Sequence, residues 1–418
     1  MIGQRIRYYR KTKGLTQEEL ARGICSVSYL SKIENGDAKS SEDVIELLCE
    51  RLGISPTEEQ LDVNILGLLN EWNYLIILRK YEEAEELHLK IKKYLPFIED
   101  PLLLTRYDLF LIRFYLIKNN LDEAKPLIKK ISKLQETYQD PSINFYYYFI
   151  KGFYYYYVKE YSEAIIHFEK AEGNLQQTPL NQVEVGVFYY SIALSHSYLF
   201  HSTSVMTYAY KALEIFDREY NFSRSSDCQI LLGIANRRIK SYSQAEYHFN
   251  QALKFAESFN DNRSLGMIYH NIGFVYSNKG QPETAIQYYM KSLSIKDKYD
   301  NSNVYITYYL IAKEHLNLDE LELSRQWLDK VKKQLKVKNN EEYEIHAKIL
   351  EYRLEDAFNK EFEVYLKKVA IPYFQNKNIF EHVSEYSSLL ADYYYNNSQY
   401  KSSSEYYKLA LVTNKKFT

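Results

Sequence analysis

Polar side chains able to bond phosphates and base edges cluster close to the N-terminus. Gln17, Ser26, Val27, Ser28, Tyr29 and Lys32 follow a basic stretch, Arg5, Arg7, Arg10, Lys11 and Lys13, that contains no acid. Amide, hydroxyl and ammonium groups of this kind bond phosphate oxygens and base edges. They do not make a catalytic set. No HExxH, CxxC, P-loop or nucleophile-elbow pattern occurs anywhere in the chain. Glu82-Glu83 and Glu85-Glu86 lie among lysines on one helix face and read as solvated. Cys25, Cys49 and Cys228 are far apart, without metal spacing, and read as small buried apolar groups in a reducing cytosol. His167, His196 and His248 stand isolated on helices and read as structural. No enzyme activity, cofactor or metal is expected.

Chemistry of the first kind needs short helices that present it. Gly14 ends a first helix whose apolar face is Ile2, Ile6 and Tyr9. Thr16 caps a second, and Glu19 three residues later completes a capping box. Gln17 falls in the first turn of that helix, where free N–H groups can meet a phosphate. Ser26 caps a third helix, with Val27, Ser28 and Lys32 on its open face and Leu30 and Ile33 facing inward. Asn35-Gly36 ends it. A fourth helix carries Val44, Ile45, Leu48 and Leu52, and Gly53-Ile54-Ser55-Pro56 closes the module. Two short helices joined by a tight turn, with polar residues at the start of the second, form a helix-turn-helix that sets the second helix in the major groove. Tyr29 fits core packing and backbone contact equally.

Composition limits the partners. The chain has 418 residues, enough for two or three domains, and a net charge of −2, so any DNA contact must be local. Gly (13) and Pro (8) are scarce, which with continuous helical periodicity implies an all-α fold with short turns. The N-terminus leads straight into an amphipathic helix and no run of about 18 apolar residues occurs, so a soluble cytoplasmic protein without membrane contact is expected.

The remaining chain is periodic. A small residue is followed twelve later by Ala, sixteen later by an aromatic residue and nineteen later by a small residue. Gly152, Ala164, Phe168 and Ala171 fit; so do Gly233, Ala245, Phe249 and Ala252, and Gly273, Ala285, Tyr289 and Ser292. Weaker copies anchor at Trp72, Ile112, Ala193, Ala312 and Ala391, with a poor one near Leu350. The spacing is about 40 residues and gives about nine repeats. These offsets are similar to those of tetratricopeptide helix pairs, in which small residues let two helices approach. The expected architecture is a helix-turn-helix domain at 1–56 followed by an α-solenoid of TPR-like repeats at 57–418.

In such repeats the groove positions lie at −6, −3, −2, +1 and +4 from the small residue. They select Arg106, Arg113, Tyr156, Tyr190, Ser191, Ser197, Asp227, His270, Asn271, Ser277, Tyr309 and Lys313. This polar, aromatic, mixed-sign face suits an extended peptide, because an asparagine offers both a donor and an acceptor to one peptide unit. Most of the tyrosines read as stack filler. Arg113 would supply a charge partner, and Tyr190 and Tyr309 would flank apolar side chains.

The segment "LTQEELA…SYLSKIENG" resembles the phage-repressor (Cro/C1 or XRE) class of helix-turn-helix domain over residues 3–55. The resemblance implies that Gln17 binds phosphate, that Val27, Ser28 and Lys32 read bases, and that Arg10 and Glu34 form a structural ion pair; Arg10 could instead contact phosphate. That module before tetratricopeptide repeats resembles the RNPP family of peptide-responsive quorum-sensing regulators, most of all its NprR-type subgroup. Asn70-Glu71-Trp72 with Ala84-Glu85, and Tyr269-His270-Asn271-Ile272-Gly273, are similar to Rap-type phosphorelay regulators. This implies that Asn271 holds a peptide backbone. The glutamine that Rap-type phosphatases use is replaced by Lys93, and no Gln lies between Gln60 and Gln135. The resemblance thus implies a transcription regulator, linked to processes such as sporulation, that binds operator DNA as a homodimer or higher oligomer under control of an imported peptide. Two alternatives are a Rap-like inhibitor of a response-regulator protein and a regulator controlled by a protein partner.

Overall fold

A computed structural model describes residues 2–36, 41–54, 64–98, 100–132, 140–299 and 303–417. Among the described residues all regular structure is helical. The N-terminal module is α1 (Ile2–Thr12), α2 (Gln17–Ala21), α3 (Val27–Asn35) and α4 (Glu42–Leu52). The pairs that follow are α5 (Ile65–Ile77) with α6 (Tyr81–Tyr94), α7 (Pro101–Ile117) with α8 (Leu121–Ser132), and α9 (Pro141–Tyr157) with α10 (Tyr161–Glu172). Next come α11 (Gln182–Tyr198) and α12 (Ser202–Arg218), α13 (Phe222–Arg238) and α14 (Tyr242–Ser258), α15 (Asn262–Asn278) and α16 (Pro282–Tyr299), and α17 (Val304–Asn317) and α18 (Leu321–Lys338). The last are α19 (Glu341–Leu354), α20 (Lys360–Tyr365), α21 (Ile371–Asn376), α22 (Phe380–Asn396) and α23 (Tyr400–Phe417). The chain divides into two compact units, residues 1–188 and 189–418. Ser55-Pro56 and the expected boundary at residues 56 and 57 lie outside the described residues.

The repeat anchors act through close approach. A Cβ on Gly233 would stand 2.5 Å from the Phe249 ring, and one on Gly273 would stand 2.6 Å from the Tyr289 ring. Only a residue without a side chain lets those large rings reach the partner helix. Phe249 and Tyr289 are fully buried. Truncating such a ring costs about 3–5 kcal/mol.

A second marker shares the period. Arg79, Asn119, Lys159, Phe200, Lys240, Gly280, Asp319 and Ser398 all have positive φ, and each follows a repeat anchor by seven residues. Each first helix therefore stops in a left-handed turn. At Lys240 the turn is closed by Ser241 N–H to the Asn236 carbonyl (2.9 Å) and Lys240 N–H to the Arg237 carbonyl (3.0 Å), the paired bonds of a Schellman motif. In the poor copy the left-handed residue is Asp356. Counting back seven residues moves that anchor from Leu350 to Ile349. Its second helix is broken: α20 passes through a π turn at Leu366–Ala370 into α21. Pro372 lacks an N–H there, and the wider turn accommodates it.

Candidate functional site

In the N-terminal module Ile6, Leu20, Leu30, Ile33, Leu48 and Leu52 form one core. Thr16 and Glu19 make both bonds of the capping box, Glu19 N–H to Thr16 Oγ1 at 3.1 Å and Thr16 N–H to Glu19 Oε2 at 2.7 Å. Ser26 Oγ accepts from Tyr29 N–H at 3.2 Å, and Gly36 ends α3 with φ 81°. Arg10 meets Glu34 through two parallel bonds, Nε to Oε1 at 2.6 Å and Nη2 to Oε2 at 2.9 Å. Arg10 Nη1 also donates to the Leu15 carbonyl at 3.0 Å. Both side chains are buried. Burial alone would raise the Glu34 carboxyl, but hydrogen bonds from Arg10 and Gln17 outweigh it and hold the group below its ordinary range.

Two residues of the expected DNA face have internal duties. Gln17 Nε2 donates to Glu34 Oε2 at 2.8 Å, so its amide joins the ion pair where the sequence pointed to phosphate. Ser26 is spent on the cap. Val27, Ser28 and Lys32 are exposed on one face, while Tyr29 is half-buried against the core. Lys11 and Lys13 are exposed, and Arg7 donates to Asn35 Oδ1 at 3.2 Å. The Arg5 side chain lies outside the described residues.

The second site is a cavity of about 580 Å³ in the unit of residues 189–418. Its walls include Arg237 on α13, Ser277 on α15, Tyr309 and Lys313 on α17, Tyr343 and His346 on α19, and Glu381, His382 and Glu385 on α22. Lys313 Nζ donates to Glu385 Oε1 at 2.7 Å. Burial opposes both charges, yet each holds the other ionised. Lys313 is pushed above its ordinary range by Glu385, and Glu385 falls well below its own beside Lys313 and His382. Ser277 Oγ donates to Glu314 Oε1 at 2.5 Å. The Arg237 guanidinium lies over the Phe274 ring, 4.2 Å from its centre, and its buried Nε has no hydrogen-bond partner among the described residues. Burial pushes the His346 imidazole down to about 4, so it is neutral near neutral pH.

Of the twelve groove residues that the offsets select, the structure brings Ser277, Tyr309 and Lys313 together at this cavity. Asn271 and His270 lie on α15 but do not line it. Asn271 Nδ2 donates to the Met267 carbonyl at 2.9 Å, and His270 Nδ1 meets Thr307 Oγ1 at 3.1 Å. Asp227 faces Arg224, one turn back on α13, at 3.9 Å. Tyr190 is half-buried on α11. Arg113 belongs to the other unit and is only 2% exposed. Its Nη1 donates to Asn73 Oδ1 at 2.9 Å, Asn73 Nδ2 donates to Glu184 Oε1 at 2.7 Å, and the Arg113–Glu184 charges lie 3.7 Å apart. That guanidinium is a core element, held because an unpaired buried carboxylate would be costly.

Sequence reasoning missed Arg237, Tyr343, His346 and Glu385, although the same offsets contain them. Arg237 is four residues after Gly233 and Glu385 is six before Ala391. With the anchor at Ile349, His346 and Tyr343 are three and six before it. Side-chain ligand atoms of Glu342, His346 and His382 also lie within 4.8 Å of one another, a grouping that no spacing in the sequence marks.

Comparisons with known proteins agree with this organisation. Residues 6–58 match the helix-turn-helix family HTH_3 and residues 268–299 match a tetratricopeptide repeat family. The chain is 33% identical over 399 residues to the transcriptional activator NprA of Geobacillus stearothermophilus, covering 94% of this chain and 98% of that protein. It is 25% identical over 361 residues to response regulator aspartate phosphatase I of Bacillus subtilis (strain 168), covering 83% and 90%. Among solved structures, the apo form of the quorum sensor NprR from B. thuringiensis superimposes with a TM-score of 0.71 at 22% identity. NprR in complex with its cognate peptide NprX gives 0.64 at 24%. Both comparisons cover 84% of this chain and 98% of the other. No helix among the described residues is long and apolar enough to cross a membrane. With a near full-length relative at this identity, a helix-turn-helix module and TPR-like helix pairs, the chain belongs to the RNPP family of transcription regulators, in its NprR-like branch.

Proposed function

We propose that this protein is a cytoplasmic quorum-sensing regulator that binds operator DNA through α3 and takes a short linear peptide as effector in its TPR-like repeats. The observation that carries the reading is the cavity of about 580 Å³, walled by Arg237, Tyr309, Lys313 and Glu385 on first helices of three alternate repeats, with Ser277 and His346 from the two repeats between them. Its volume is that of a ligand site, and its mixed charges suit a chain with amide groups and a carboxylate. The solved NprR complex with its cognate peptide supports the same reading. Asn271, partly exposed on α15, exchanges its bond to Met267 for a peptide unit of the effector.

At the DNA end, Val27, Ser28 and Lys32 read bases while Lys11 and Lys13 meet phosphates. One such module makes few phosphate contacts, so two copies act together on a two-fold site. Tyr395, Tyr400, Leu411 and Val412 are exposed near the C-terminus and supply a surface for the homodimer. The domains divide near residues 56 and 57. The similarity to an aspartate phosphatase favours a second reading, capture of a response-regulator domain. It would be stoichiometric, because exposed Lys93 on α6 stands where catalysis would need glutamine.

The test is selection of duplexes by the full chain from a random library, with and without synthetic peptides taken from short secreted precursors. A two-fold site whose recovery changes with one peptide is expected. Lys32→Ala should weaken binding to that site by about 1–3 kcal/mol and relax one base position. Failure to select any duplex, with every peptide, contradicts the reading.

A further inference from the structure

We propose that Glu342, His346 and His382 form a binding site for a divalent transition-metal ion of the zinc class, open on the side of the cavity. The inference does not depend on a peptide being the effector. Glu342 and His346 are four residues apart on α19 and so share a face. His382 comes from α22, with its ring centre 4.4 Å from that of His346. His346 Nε2 lies 3.9 Å from Glu342 Oε1, and all three ligand atoms fall within 4.8 Å. Zinc takes nitrogen and oxygen ligands at about 2.0–2.2 Å, which puts tetrahedral neighbours about 3.4 Å apart. Glu342 and His382 are half-buried, so rotamer adjustment of about an ångström closes the set around an ion.

Each imidazole is already held by its other nitrogen. His346 Nδ1 bonds the Tyr386 hydroxyl, and His382 Nδ1 donates to Glu385 Oε2 at 3.2 Å. That leaves Nε2 of each ring as the metal ligand, with an oriented tautomer and, at His382, a carboxylate behind it. This is the outer support that metal-binding histidines carry. Aromatic packing alone would explain His346 between Tyr309 and Phe374. Phe374 and Tyr386 pack His382 as well, so aromatic contacts account for both rings, but they do not account for the Glu342 carboxylate brought within 4.8 Å of both imidazoles. Two imidazoles exclude the all-oxygen preference of calcium and magnesium, and the absence of thiolate from the set points to zinc-like ions over softer ones. His346 and His382 line the cavity, so the fourth ligand position opens to solvent or to an occupant of it. The outer support ends in Lys313 through Glu385. A bound ion would therefore stiffen the wall that Lys313 and Glu385 form.

The test uses the full chain, stripped with a chelator and titrated with cobalt(II), following the visible bands of a tetrahedral ion and their loss on zinc addition. Equilibrium dialysis with zinc gives the stoichiometry. Wild type should bind one equivalent. Glu342→Gln and His382→Gln, at half-buried positions, should lose the tetrahedral bands and that equivalent, with unchanged circular dichroism. Glu385→Gln should weaken binding by about 10- to 100-fold. A Cys25→Ser variant should bind like wild type. The proposal is overturned if wild type binds no zinc at micromolar concentration, if both ligand variants retain the full equivalent, or if binding is lost only in Cys25→Ser.

Discussion

Lys313 on α17 and Glu385 on α22, 72 positions apart in sequence, meet at 2.7 Å and tie the two helices across the cavity wall. Their side chains are 28% and 35% exposed, between a surface pair and a buried one. Lys313→Met should therefore destabilise the protein by about 1–2 kcal/mol, above an exposed pair and below a fully buried one. A thermal-unfolding cycle with Glu385→Gln should show that the two changes are not additive. Additive effects would mean that the pair contributes nothing.

The Arg10–Glu34 pair gives a pH prediction. The Glu34 carboxyl is depressed in the folded protein. Its contribution to stability is therefore complete above the unfolded carboxyl value and is lost as pH falls through the folded value. Arg10→Met leaves Glu34 buried with the Gln17 amide but without its charge partner, at about 3–5 kcal/mol. Hydrogen exchange on the full chain should show α3 amides of the variant opening faster at neutral pH. The gap from wild type should shrink as pH falls below the ordinary carboxylate range, where Glu34 protonates in both. A gap that does not depend on pH would contradict the assignment.

At Gly273 a new methyl would stand 2.6 Å from the buried Tyr289 ring. Gly273→Ala should lower the melting temperature, with an overpacking cost of about 1–3 kcal/mol. Tyr289→Leu should partly rescue it by removing the clash. An unchanged melting temperature in Gly273→Ala would show that α15 and α16 can separate freely.

The fold was legible because its determinants are local and periodic. The capping box at Thr16 and Glu19, the glycines opposite Phe249 and Tyr289, and the small residues after them all repeat at fixed offsets. The site was legible only in part. Ser277, Tyr309 and Lys313 follow from the offsets, and so would Arg237 and Glu385 had every offset been applied in every repeat. His346 was hidden by a one-residue error in an eroded anchor, which the left-handed Asp356 corrects. Arg113 shows the converse. An offset finds the helix face, but it cannot tell a groove charge from one neutralised by Glu184, because that partner lies 71 residues away. Gln17 likewise carries an amide fit for phosphate until Glu34 claims it. Pairings set by tertiary contact leave no local trace in the sequence.

Under the proposed function an effector peptide occupies the cavity of the unit at 189–418. Calorimetry of the full chain with its cognate peptide tests it most directly, comparing wild type with Arg237→Met and Lys32→Ala. Arg237 lines that cavity with a buried Nε that has no partner among the described residues, so it is the charge most available to the ligand. Arg237→Met should lose about 1.5–3 kcal/mol of binding energy, roughly 10- to 150-fold in affinity. Lys32→Ala should bind the peptide like wild type. Equal peptide affinity for wild type and Arg237→Met would contradict the account.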